Sequence, residues 1–144
     1  MKMVVLLSGP NLNLLGEREP EIYGSATLDD HVATFATALG DDFDVRHVQS
    51  NHEGDLIDAV HTARRDAAAI VVNAGAFSHY AWGLHDALAT FEGPVVEVHI
   101  SNPYARESWR HTSVVSPVAS GVICGFGGTG YRLAADAVKE LLTR

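Results

Sequence analysis

Two rhythms alternate along this chain. Val4-Val5-Leu6-Leu7 and Ala68-Ala69-Ile70-Val71-Val72 are unbroken apolar runs, the pattern of strands buried on both faces. Phe43 to Val48, Val95 to Ile100 and Val118 to Ile123 have strand character as well. Between the runs the spacing becomes helical. Leu28, Val32, Phe35, Ala36 and Leu39 share one helix face, and so do Leu56, Ile57, Val60 and Ala63. Trp82 to Phe91 suits a third helix, and Leu133, Ala134, Ala137, Val138, Leu141 and Leu142 mark a closing one. Thr27-Leu28-Asp29-Asp30 and Ser50-Asn51-His52-Glu53 read as capping boxes that start the first two helices, and Gly40 reads as the stop of the first.

Strands alternating with helices at this spacing predict an α/β fold, a parallel sheet covered on both faces. Five strands fit a flavodoxin-like sheet of order 2-1-3-4-5, whose ligands bind beyond the carboxyl ends of the strands, near the reversal of strand order between the first and third. Polar residues stand at that rim. Asn11 follows the first strand, Asn73 ends the third and His99 ends the fourth.

One stretch breaks the alternation. From Gly9-Pro10 to Ala26 there is no helix signal, yet Leu12, Leu14, Leu15, Ile22 and Tyr23 argue against disorder. A lid or binding loop fits best, with Gly16 and Gly24 as hinges around Arg18 and Tyr23. A phenol with an ordinary pKa of about 10 is a poor base at neutral pH, and becomes a useful one where a cation stabilises the phenolate. Arg18 is placed to supply that charge to Tyr23, and Arg110 could approach from the other side.

Composition narrows the partners. The 144 residues suit a single domain over 1–144, and 47% hydrophobic content can build its core. A formal charge of −8 with no Lys/Arg run disfavours nucleic acid and anionic membranes. The apolar run after Met1-Lys2 is too short for a secretory core or a membrane span, so a soluble, unexported protein is expected. The single cysteine, Cys124, excludes an internal disulfide and suits a reducing cytoplasm. Eight histidines form no H-E-x-x-H, and His31, His52, His61 and His111 read as surface or helix-face residues. His79 and His99 differ, because they lie at strand ends beside Asn73-Ala74-Gly75 and Ser101. Gly125-Phe126-Gly127-Gly128-Thr129-Gly130 matches G-x-G-x-x-G, but no strand with an acidic residue follows its helix. A turn that lets the last helix pack closely on the sheet is the better reading.

Assembled, these stretches resemble the type II 3-dehydroquinate dehydratases over essentially the whole chain. The resemblance rests on Gly9 to Gly16 with Arg18 to Gly24, on Asn73 to His79, on Glu97 to Asn102, on Arg110 to Ser113 and on Gly125 to Tyr131. Ser8 stands where the family usually has Asn, and Ala74 where Pro is common; neither position carries chemistry there. The resemblance implies a flavodoxin-like subunit assembled as trimers, commonly four in a dodecamer, with no metal or organic cofactor. It implies Tyr23 as proton acceptor, His99 as proton donor, Arg18 as stabiliser of the transition state and Asn11 as holder of a water at the enolate. Asn73, His79, Ile100, Ser101 and Arg110 would bind 3-dehydroquinate, and Asp86 would reach the site of a neighbouring subunit. The expected reaction is loss of water from 3-dehydroquinate, giving a conjugated enone, with the lid pairing Arg18 and Tyr23 once substrate binds. A flavin- or nucleotide-binding module of the same fold, supported by the glycine cluster alone, and an enzyme for a different hydroxy acid are the competing readings.

Overall fold

The computed structural model describes residues 1–144. Five parallel strands, β1 (Lys2–Ser8), β2 (Phe43–Gln49), β3 (Ala69–Asn73), β4 (Val95–His99) and β5 (Gly121–Cys124), form one sheet of order β2-β1-β3-β4-β5. Helices α2 (Leu28–Leu39) and α5 (Thr129–Leu142) cover one face, while α3 (Glu53–Asp66) and α4 (Trp82–Ala89) cover the other. The unbroken runs follow from this double cover. Along β1, Val4 and Leu6 enter one apolar cluster and Val5 and Leu7 the opposite one. No helix is long and apolar enough to cross a membrane.

The Thr27 capping box forms: its hydroxyl accepts the Asp30 amide at 3.1 Å and the Asp30 carboxylate accepts the Thr27 amide at 2.9 Å. Gly40 closes α2 with φ +88, a left-handed value that its missing Cβ makes inexpensive. The second expected box does not form. His52 precedes α3 without a side-chain cap, the Ser50 hydroxyl is engaged with the His52 amide and Asp55, and the Glu53 carboxylate accepts the Leu84 amide of α4. Tertiary partners outbid the local motif. β5 also begins later than its apolar run suggests, because Ser116-Pro117-Val118 makes a short 3-10 turn.

Of the two readings of His31, surface or helix face, the structure takes the second. The residue lies on α2 but faces inward, 4% exposed, stacked on Tyr131 with ring centroids 5.0 Å apart and no partner for Nε2. Burial lowers its pKa, against the opposing pull of Asp30; burial does the same at His47, against Asp29. In each case the folded chain binds a proton less readily than the unfolded one. Stability is therefore full above the ordinary histidine pKa of about 6.5 and falls as pH drops through the lowered folded values. Urea midpoints at pH 7.5 and 5.0 should show this loss, and His31→Leu should shrink it; an unchanged pH slope in that variant would absolve His31.

Two loops cross where the strand order reverses. The Gly9 amide donates to the Asn73 carbonyl at 2.8 Å, and a Cβ on Gly9 would stand 2.0 Å from the Ala74 carbonyl oxygen. Backbone cannot yield as a side-chain tip can. Gly9→Ala is expected to cost about 3 kcal/mol or more, a fall in Tm of roughly 10 °C; a parental melting curve would contradict the contact.

Candidate active site

The crossing loops, the end of β4 and the segment after β1 enclose a cavity of about 240 Å³ at the carboxyl rim of the sheet. Asn11, Arg18, Tyr23, Asn73, His79, His99, Ile100, Ser101 and Arg110 all line it. Nine of the ten residues anticipated from the sequence thus converge. Asp86 does not: it is exposed on α4 and lies outside this lining.

The segment between β1 and α2 is the roof. Leu12 and Leu15, each 3% exposed, root it in the apolar core, and Gly16 and Gly24 take φ +95 and +80. It is not wholly irregular. Leu12–Leu14 form a 3-10 turn and α1 (Pro20–Tyr23) a single helical turn, entered through Glu19 at φ +39. That turn presents Tyr23 inward. Asn11, at φ +67, donates its amide to the Asn51 side chain at 3.0 Å, which ties the start of the roof to the loop after β2.

Two guanidinium groups meet the phenol. Arg18 Nη2 donates to Tyr23 Oη at 3.3 Å, and Arg106 Nη1 donates to the same oxygen at 2.9 Å while also reaching Ser101 Oγ at 3.1 Å. Such bonds are stronger to a phenolate than to a phenol. Arg106 occupies the place considered for Arg110, which instead pairs with Glu107 at 3.2 Å and lies over the Trp109 ring at 4.0 Å. The sequence offered little warning of Arg106, an arginine in an irregular stretch. Arg18 and Tyr23 already stand together here, whereas the sequence reading joined them only upon substrate binding.

Across the cavity, His99 Nε2 lies 2.5 Å from Glu97 Oε2. A carboxylate accepts, so Nε2 carries the proton and Nδ1 is the nitrogen left for chemistry. Glu97 is 1% exposed, and also accepts from the hydroxyls of Ser113 (2.8 Å) and Ser116. Burial alone would raise its pKa, but the His99 contact and the two hydroxyls outweigh it and hold the carboxyl below its ordinary value. The ionised Glu97 thus sets a buried negative charge against the His99 ring. Its signal was present in the sequence, since a charge inside Val95-Val96-Glu97-Val98 needs buried partners.

The remaining polar groups are oriented by backbone and by one buried hydroxyl. His79 Nδ1 lies 2.7 Å from the Thr112 carbonyl and must donate to it, which fixes the ring and leaves Nε2 for another partner. Asn73 ends β3, with Oδ1 accepting the Gly75 amide at 3.2 Å and Nδ2 donating to the buried Tyr131 hydroxyl at 3.1 Å.

A doubly wound α/β sheet whose rim sets a doubly cation-bound phenol against a carboxylate-held imidazole defines an enzyme of the acid–base class, built to take a proton on one side and give one on the other. Its lineage is equally plain. The family described as Dehydroquinase class II matches residues 2–139, and the chain belongs to it. It is similar to the 3-dehydroquinate dehydratase of Dinoroseobacter shibae, 52% identical over 97% of this chain and 94% of that one. The 3-dehydroquinate dehydratase 1 of Corynebacterium efficiens is 57% identical over 95% of this chain and 91% of its own. The crystal structure of the type II dehydroquinase from Butyrivibrio crossotus superposes with a TM-score of 0.92 at 40% identity, over 96% of this chain and 97% of that one.

Proposed function

We propose that residues 1–144 act as one catalytic domain, a hydro-lyase that eliminates water from 3-dehydroquinate to give 3-dehydroshikimate through an enolate. The observation that carries this reading is the opposition of Tyr23, bound by Arg18 and Arg106, to His99, bound by Glu97, across a single cavity. The phenolate of Tyr23 takes the proton beside the ketone, and the electron pair moves onto the ketone oxygen. A water held by Asn11 donates to that oxygen and stabilises the enolate charge. As the enolate collapses, the carbon–oxygen bond of the leaving hydroxyl breaks, and His99 delivers the proton that makes it water.

Asn73, His79, Ile100, Ser101 and Arg110 bind the substrate, with the Ile100 and Ser101 amides facing its carboxylate. No Schiff base is needed: Lys139 donates to the Ala38 carbonyl and Lys2 starts β1, both outside the cavity lining. Asp86, exposed on α4 and outside the lining of its own cavity, serves the site of a neighbouring copy, in a homo-oligomer of trimers assembled as a dodecamer. With one cysteine, the chain suits a reducing cytoplasm.

Adding 3-dehydroquinate to the purified chain should produce the ultraviolet absorbance of a conjugated enone, without added metal or cofactor. No absorbance change at micromolar enzyme would overturn the reading. A yellow preparation, or nucleotide released on denaturation, would favour the binding-module alternative instead.

A further inference from the structure

We infer that Tyr131 is a positioning residue for substrate binding: its buried hydroxyl holds the Asn73 carboxamide in the one orientation that leaves a free N–H for the cavity where substrate binds. The inference rests on Asn73 binding substrate, as proposed above. Asn73 has one oxygen and one nitrogen to place, and both ends are spoken for. The Gly75 amide donates to Oδ1 at 3.2 Å, which fixes the oxygen end, and Nδ2 donates to Tyr131 Oη at 3.1 Å, which fixes the nitrogen end. An Asn side chain has two N–H bonds on Nδ2. One is thus given to Tyr131 and the other remains for the cavity that Asn73 lines.

The partner is unusual for an apolar core. Tyr131 is 0% exposed, and a phenylalanine would fill the same space without leaving a hydroxyl to satisfy. Burial pushes its pKa up to about 12, only partly offset by Asn73, so the group stays a neutral hydroxyl and adds no charge to repel an anionic substrate. Its depth comes from the glycine-rich turn. A Cβ on Gly130 would sit 3.2 Å from Val98 Cγ2, and one on Gly128 would sit 2.8 Å from His31 Cε1, so the glycines let the start of α5 approach this closely without displacing Val98 or the His31 ring. The motif that imitates a nucleotide fingerprint therefore has another use: it sinks a phenol until its oxygen meets the end of β3.

The test is Tyr131→Phe, which keeps the ring stacked on His31 and removes one oxygen. KM for 3-dehydroquinate should rise about tenfold with kcat changed less than about threefold, because a freed carboxamide weakens binding and leaves the acid and base in place. In an Asn73→Ala background the same change should have almost no effect on KM, the signature of one shared interaction. A parental KM in Tyr131→Phe beside a raised KM in Asn73→Ala overturns the inference alone, whatever the melting temperature does. An unchanged KM in Asn73→Ala removes the substrate role of Asn73 and the inference with it. A parent chain with no turnover is a failure of the functional reading itself. Should Tyr131→Phe fail to fold, the unaltered chain labelled with [15N]asparagine still decides the matter. One Asn73 side-chain proton should exchange slowly with deuterium while the other shifts when 3-dehydroshikimate is added, and equally fast exchange of both would overturn the inference.

Discussion

Tyr23→Phe should bind 3-dehydroquinate nearly as well as the parent chain and turn it over roughly a thousand-fold more slowly or worse. The ring and its packing against the α2–α5 side of the core remain, and so does the stack beneath Arg18, 4.6 Å from guanidinium carbon to ring centroid. Only the oxygen on which both guanidiniums converge is lost. The change therefore falls on kcat, since a group that acts as base contributes to the transition state and little to the ground state. Steady-state kinetics with a binding measurement by calorimetry checks both halves. Turnover within tenfold of the parent would remove Tyr23 from the base role and leave the cavity without another candidate on the roof.

Arg106→Ala should cost kcat about a hundred- to a thousand-fold, the range seen when a preorganised donor is removed from a site of developing charge. One nitrogen of Arg106 bonds both Tyr23 Oη and Ser101 Oγ, so its loss releases the phenol from the end of β4 at the same time as it removes a charge. Arg18 reaches the same oxygen from the roof itself at the longer distance of 3.3 Å. Arg18→Lys retains a cation without the planar fork and should also lose most activity, though less than Arg106→Ala. A series of rates on the three enzymes across pH 6 to 9 reads the ordering. If Arg106→Ala keeps parental kcat while Arg18→Lys does not, the phenol is governed from the roof alone.

Much of this site was legible before any coordinates, for a reason particular to parallel sheets. All strands end at one rim, so residues that close the strands in sequence, Asn73 and His99, and the one that follows the first, Asn11, become neighbours whatever lies between them. What escaped lies where chain direction carries no such rule. Arg106 sits in the irregular run after β4, and nothing in Asn102-Pro103-Tyr104-Ala105-Arg106 says which way its side chain turns. The Ser50 box failed because Glu53 found the Leu84 amide, a partner 31 residues away that local pattern cannot anticipate. His31 fits its helix face as well as any apolar residue would, yet its burial depends on the ring of Tyr131 across α5.

The unequal anchoring of the two reacting groups has a consequence for timing. His99 is held from below by a carboxylate sunk in the sheet, whereas Tyr23 belongs to a strap between two glycines and is clasped to the sheet through Arg106. With Tyr23 already clasped by Arg18 and Arg106, a molecule entering the rim meets base and acid in place, and no travel of the strap has to precede the first proton transfer.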